Sequence, residues 1–366
     1  MPHLPALTER RPRAGARRTR PVMLATAAAL VAMVAAGGSA SAATGAGLTS
    51  SSGTAGLKPY RGPESSAFKL LPRPARDSAV HFKLGYLDPF AAIPGLLDEQ
   101  NAACAEAKAL GGSCVTDDAN DEVQTQVAQF SQLLAQKVTA IVVSPLDPQA
   151  LAPSLKQAAA AHVPVVVNDA PADLSTAAVS GATSNISQAF DYSSWATMTA
   201  IARLMPGTTF AIMASSSPNP LLQYLVAREK SWGVTQGLKF VGQVAAPSDS
   251  QASWASTAGT IAQRYPSARV LVTYNDPSAV AAASGLASVG KSDIKVADAN
   301  GFESLAATAI KDGKMIASYS VPTASEGTQM AIAAYDKLAG RPVPTTIAIK
   351  SVAVTKANVA SVKAVG

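Results

Sequence analysis

Cysteine and histidine are almost missing: the 366-residue chain holds two of the first and three of the second. Two cysteines cannot build an all-cysteine zinc site or a disulfide-rich mini-scaffold, so no metal or other cofactor is expected. The histidines are scattered. His3 lies at the head of the chain and His81 opens the first apolar run of the body. His162 closes a helical stretch, where its charge complements the helix dipole. No H-E-x-x-H, G-x-S-x-G or phosphate-loop pattern occurs. One catalytic route stays open, a pair of carboxylates of the glycosidase kind, because such a pair forms in space and leaves no local motif. Aromatic residues make up only 5% and charged residues 15%. What fills the chain is aliphatic: 48% is hydrophobic, which excludes a wholly disordered polymer. The length suits two domains or one large one.

The formal charge of +6, with a pI near 9.3, would point to nucleic acid or an anionic surface if it sat on the folded body. It does not. Residues 1–42 carry six arginines and one glutamate, a net of +5. The basic stretch is followed by the apolar run Val22–Ala36 and then by Ala40-Ser41-Ala42. That order is a secretory signal peptide cut after Ala42. The run of 15 residues is short of the roughly 20 that cross a bilayer; an uncleaved anchor is the competing reading. Residues 43–78 are rich in Gly, Ser, Thr, Ala and Pro and read as a flexible linker, with a net of +3. The remaining body is left with −2. No basic patch with interleaved aromatics remains, so no nucleic-acid partner is expected. The expected location is extracytoplasmic: periplasm, cell envelope or secreted.

From His81 onward short apolar runs alternate with amphipathic stretches. Strands are expected at 82–87, 113–116, 139–143 and 163–167, then at 208–213, 239–244, 269–273, 294–297 and 315–320. Helical stretches fall at 95–110, 121–136, 149–161, 186–204, 221–236, 251–264, 278–289 and 302–311. Apolar strands alternating with helices imply an α/β fold with parallel sheets covered on both faces. So many strands suit two Rossmann-like domains. An eight-fold β/α barrel is the alternative; the Pro/Asp/Ser/Thr-rich connector at 170–186 argues against one closed sheet.

In open parallel sheets ligands bind beyond the carboxyl ends of the strands. Those loops include Asp88-Pro89-Phe90, Ser144-Pro145-Leu146-Asp147, Asn168-Asp169-Ala170, Ser215-Ser216-Ser217, Tyr274-Asn275-Asp276 and Asp298-Ala299-Asn300-Gly301. Carboxylates, amides and hydroxyls with nearby rings suit a neutral polyhydroxylated ligand. Asp147 and Asp276, each before a proline, read instead as helix N-caps. Asp169 ends the most apolar strand and precedes no helix, so capping explains it poorly.

The stretch 139–169, TAIVVSPLDPQALAPSLKQAAAAHVPVVVND, resembles the type I periplasmic binding proteins, in particular the ribose-binding-like branch. RVLVTYND, VGKSDIKV and IKDGKMIASYS follow in the family's order, and the resemblance covers roughly 80–355. It implies two Rossmann-like lobes with parallel sheets, joined by a three-crossover hinge. Carried over, the first lobe is 79–183 plus 321–349 and the second is 184–320 plus 350–366, with crossings near 183–186, 320–322 and 348–351. The implied work is capture of a small, sugar-like solute and delivery to an ABC permease, by a monomer that is not an enzyme. Alternatives are a ligand-sensing module docked to a membrane signalling protein and a secreted carbohydrate-active enzyme.

The same resemblance places ligand contacts at Asp169, Arg228, Asn275 and Asn300. Arg228 stands in Arg228-x-x-Ser231-Trp232, similar to the family's Arg-x-x-Gly-Phe, and Asp88 and Phe90 stand in for its Asn-Pro-aromatic loop. Tyr86, Phe90, Trp232 and Tyr274 are rings for stacking or for core packing; both readings stay open. Ala170, Ala299, Asn300 and Val321 replace the family's Arg, Phe, Asp and Gln, so ribose itself is not expected. Cys104 and Cys114 are spaced for a bridge or for two buried thiols, and export favours the bridge.

Overall fold

The computed structural model describes residues 56–216 and 220–365. The expected signal peptide, the beginning of the expected linker and Ser217 lie outside the described residues. The chain first alternates β1 (Lys83–Asp88), α1 (Pro94–Ala109), β2 (Ser113–Asp118), α2 (Val123–Ala135), β3 (Ala140–Val143), α3 (Pro148–Ala160), β4 (Val165–Asn168) and β5 (Ser184–Ser187). It then forms α4 (Phe190–Leu204), β6 (Thr209–Ser215), α5 (Pro220–Thr235), β7 (Lys239–Ala246), α6 (Gln251–Arg264), β8 (Val270–Thr273), α7 (Asp276–Ser288), β9 (Lys295–Asp298), α8 (Ser304–Lys311) and β10 (Met315–Tyr319). It returns with α9 (Thr323–Leu338) and β11 (Thr346–Ala348), and ends after β12 (Ala353–Val354).

Two six-stranded sheets result, ordered β11-β5-β4-β3-β1-β2 and β12-β10-β9-β8-β6-β7. Every pairing is parallel except β10 with β12. Successive strand residues point to opposite faces, so each sheet needs two helical layers. In β3, Ala140 and Val142 join the layer that includes α9 residues Met330 and Tyr335. Ile141 and Val143 join the layer that includes Phe130 and Leu133 of α2 and Leu151 and Leu155 of α3. The second sheet repeats the arrangement. Leu271 packs with α6 and α7 residues, while Val270 and Val272 pack with Met198 and Ile201 of α4.

The chain passes between lobes at Gln188–Ala189, at 320–322 and at 349–352. The first crossing differs from the expected 183–186. Ser184–Ser187 is a fully buried strand between β4 and β11, so it belongs to the first lobe. Its sequence, SNIS, carries one aliphatic side chain and gives no strand signal. Cys104 of α1 and Cys114 of β2 are bonded, with their Cα atoms 5.3 Å apart. The bond spans the turn through Gly111 and Gly112. At Gly111 the φ of +87° suits glycine, and a Cβ on Gly112 would collide with the Phe82 carbonyl.

The stretch 56–78, expected to be flexible, is instead bound along both lobes. Lys58 N–H donates to Gln236 Oε1 at 2.8 Å, and Gln236 Nε2 donates back to Lys58 O at 2.8 Å. Leu71 makes the same reciprocal pair with Gln329, at 2.7 and 3.1 Å. Such amide clips need no apolar periodicity, which is why composition alone reads the stretch as a linker.

Candidate ligand-binding site

The carboxyl ends of β1 to β4 and of β6 to β9 carry the loops that the topology makes available to a ligand. Those loops contain Asp121, Glu122, Asp147, Asp169, Asp173, Asp249 and Glu303, and no lysine or arginine. Asp88, Asp118 and Asp298 add further carboxylates at the strand ends themselves. The lobes meet at these loops. Ala172 packs into the apolar layer of the second lobe, and Asp121 and Asp249, from opposite lobes, are close enough to repel.

In the first lobe Asp169 follows β4 in a left-handed conformation, φ +52°. Its Oδ1 accepts the Gln188 backbone N–H at 3.0 Å, and its Oδ2 lies 3.4 Å from Gln188 Nε2. The first crossing is thereby tied to the site. Burial pushes its carboxyl up to about 7, against the lowering effect of those donors. Below it lie two buried glutamates. Glu99 of α1 accepts Tyr86 Oη at 2.6 Å and Asn168 Nδ2 at 2.9 Å. Glu326 of α9 has an unpartnered Oε1 and feels both Asp169 and Glu99. Burial raises both carboxyls; the charges of Asp169 and Asp88 add to it at Glu99, and those of Asp169 and Glu99 add to it at Glu326.

Asp88 ends β1 fully buried. Its Oδ1 accepts the Phe90 N–H at 2.9 Å, its Oδ2 is unpartnered, and burial raises its carboxyl to about 6. Phe90 is half-buried on the loop that follows. Tyr86 is sealed in the layer with Tyr335, its hydroxyl on Glu99, so it packs the core and offers no ring to a ligand.

In the second lobe Asn275, not Asp276, caps α7. Asn275 Oδ1 accepts the Ser278 N–H at 3.0 Å, and Ser278 Oγ lies 3.3 Å from the Asn275 N–H in a capping box. Asn275 Nδ2 has no hydrogen bond among the described residues and is left to donate. Asp276 is the first helical residue and is hydrogen-bonded to Asp298 beneath the site. Ser318 Oγ lies 3.0 Å from both carboxyls, and the Glu303 N–H donates to Asp276 at 2.6 Å. Burial lifts Asp298 to about 7 and also raises Asp276, where the Asp298 charge adds to it, so the two carboxyls titrate as a pair. Asn300 is half-buried above this pair, its Nδ2 3.5 Å from the Tyr274 carbonyl. Tyr274 is core: its hydroxyl donates to Asp249 and accepts from Trp254 Nε1.

Arg228 lies on α5 toward the hinge. Its Nε donates to the buried Asp191 of α4, which also accepts Trp232 Nε1 at 2.9 Å. The guanidinium carbon stands 5.7 Å from the centre of the Trp232 ring. The remaining guanidinium nitrogens have no partner among the described residues. No hydrogen bond joins Asp169, Arg228, Asn275 and Asn300 to one another; they share a face through the topology alone. Gln188 and Asp191, which hold Asp169 and Arg228, gave no sequence signal because each acts across more than 15 residues or across two helices.

A periplasmic binding protein domain model matches residues 93–342. No curated protein matches the chain in sequence. Solved structures share the fold. A periplasmic ribose ABC transporter protein from Conexibacter woesei is 20% identical with a TM-score of 0.68, covering 77% of this chain and 95% of its own. An ABC transporter solute-binding protein from Mycobacterium smegmatis with bound glycerol is 22% identical with a TM-score of 0.66, covering 77% and 96%. One from Actinobacillus succinogenes with bound D-allose is 18% identical with a TM-score of 0.67, covering 77% and 100%. With two open parallel sheets, three crossings and a family match over most of its length, the chain belongs to the periplasmic binding protein family.

Proposed function

We propose that the protein captures a small, uncharged polyhydroxylated solute, a sugar or polyol, between its lobes and delivers it to an ABC permease outside the cytoplasm. The observation that carries the reading is the composition of the strand-end loops: carboxylates and amides from both lobes, and no lysine or arginine. An ionised carboxylate accepts from adjacent hydroxyls, and a protonated one donates as well. Asp169 from one lobe and Asn275 Nδ2, Asn300 and the free arm of Arg228 from the other supply complementary groups. Ligand contacts that form only when both lobes are engaged favour the closed state in proportion to their free energy. The bound glycerol and D-allose of structurally similar proteins support this solute class. Uronates and sugar phosphates are unsuited, because the charged groups of the loops are all carboxylates and Arg228, the one cation among the proposed contacts, is already paired with Asp191.

A thermal-shift screen of the exported form against neutral sugars, polyols, uronates and sugar phosphates tests the reading. At about 100-fold excess over Kd a ligand adds about 2.7 kcal/mol to stability. For a body of this size that raises the midpoint by roughly 4–5 °C. Shifts confined to neutral compounds support the proposal; shifts only with anionic ones overturn it.

A further inference from the structure

The described N-terminal stretch forms one continuous connection over the hinge. It starts on the second lobe, where the Lys58 backbone is clipped by Gln236 just beyond α5 and accepts Trp195 Nε1 of α4 at 2.9 Å. It then climbs to the first crossing. Glu64, in a single 3-10 turn (Pro63–Ser66), is fully buried and reaches the N-terminus of α4. Its Oε1 accepts the Asp191 N–H at 3.0 Å, and its Oε2 accepts the Tyr192 N–H at 2.8 Å and Tyr60 Oη at 3.2 Å. The helix has no cap of its own: Ala189 stands at the N-cap. Two of the N–H groups that every helix start leaves unpaired are therefore satisfied by a residue more than 100 positions away.

At the third crossing the Ala67 carbonyl accepts the Ala348 N–H of β11 at 3.0 Å. The Lys350 ammonium stands 5.1 Å over the Phe68 ring. The Tyr60 and Phe68 rings meet Tyr192 edge-on at 5.1 and 5.4 Å, and Tyr192 in turn meets Tyr319 at the end of β10. Beyond Phe68 the chain descends the first lobe. Gln329 clips Leu71, Arg73 pairs with Glu106 at 2.7 Å, and the Asp77 N–H donates to Tyr335 Oη at 2.6 Å.

We infer that residues 57–80 are a hinge strap that fixes the angle between the lobes and so sets how readily they open and close. The strap is anchored to the second lobe at one end, to the first lobe at the other, and to two of the three crossings between them. Rotation of one lobe against the other must break anchors or stretch the strap. Pro59, Pro63, Pro72 and Pro74 reduce its slack, because each fixes φ. Gly62 lies so close over Asp191 that a Cβ there would overlap Asp191 Oδ2. The strap thus also presses on the carboxylate that holds Arg228. This role is independent of which solute binds.

The test severs the strap after folding. A specific protease site is inserted between Lys69 and the exposed Leu70, and spin labels are placed at Lys156→Cys and Lys291→Cys, one on each lobe. Distance distributions are measured by pulsed electron resonance before and after cleavage, without any solute. The inference expects one narrow distribution in the intact protein, and a broader one with a new, longer component after the cut. Identical distributions before and after would overturn it. Glu64→Gln leaves the strap continuous and removes only the carboxylate. It is expected to raise the ratio of the longer component to the narrow one by roughly tenfold over the intact parent, the scale of one buried hydrogen bond, because glutamine keeps only one of the two oxygens that accept the Asp191 and Tyr192 N–H groups. An unchanged ratio in that variant would remove Glu64 as the central anchor and overturn the inference at the first crossing.

Discussion

Glu64 supplies a prediction whose sign runs against the usual behaviour of a carboxylate. Burial raises its carboxyl from an ordinary 4.5 to about 7, against the lowering effect of the Asp191 and Tyr192 N–H donors. The charged and titratable groups that face it are Asp191 and Tyr60, and neither supplies a positive charge. Between pH 4.5 and 7 the unfolded chain gives up this proton while the folded chain keeps it. Its contribution is therefore fully present below pH 4.5 and is lost as pH rises through about 7. The interval between 4.5 and about 7, at about 1.4 kcal/mol per pH unit, comes to about 3 kcal/mol by pH 8. Glutamine does not titrate. Urea unfolding of the parent and of Glu64→Gln from pH 4.5 to 8 should show the parent losing about 3 kcal/mol relative to the variant across that range. Parallel stability curves for the two proteins would refute the placement of a proton on Glu64.

Other expectations follow from single contacts. The whole protein should be more stable at pH 5 than at pH 8, because burial also raises Asp88, Asp169 and Asp298 to between about 6 and 7; calorimetric midpoints that rise with pH would contradict this. Asp147→Ala should cost about 1 kcal/mol in denaturant titration, since Asp147 Oδ1 caps α3 through Gln149 and Ala150 at 2.8 and 3.2 Å. Gly327→Ala should cost about 1–3 kcal/mol, because its Cβ would overlap the Glu99 carbonyl where α9 crosses α1; an unaltered midpoint would mean the helices separate freely there.

The repeating strands were legible because the central ones, such as β3, β4 and β8, bury an aliphatic run on both faces of the sheet, while β2 and β7 are partly exposed edge strands. Nine strands and eight helices stand where periodicity puts them. β5 was not, because SNIS is polar and is held by two neighbouring strands, and β11 and β12 are too short to show a pattern. At the site, position was legible and orientation was not. Tyr86 and Tyr274 sit at or near strand ends as read, yet both rings turn inward, where Glu99 and Asp249 receive their hydroxyls. Asn275 takes the cap expected of Asp276, one residue earlier, and Asp276 instead joins a buried pair with Asp298. The strap left no trace in composition because its anchors are a few amides, one carboxylate and two rings spread over a stretch rich in glycine, serine and proline.

The most direct measurement is calorimetric titration of neutral sugars and polyols into the parent and into Asp169→Ala. Saturable one-to-one binding is expected in the parent, weakened roughly tenfold or more in the variant by loss of a charge-assisted hydrogen bond. No heat with any neutral polyhydroxylated solute would contradict the proposed function, and equal affinity in the two proteins would place the ligand away from Asp169.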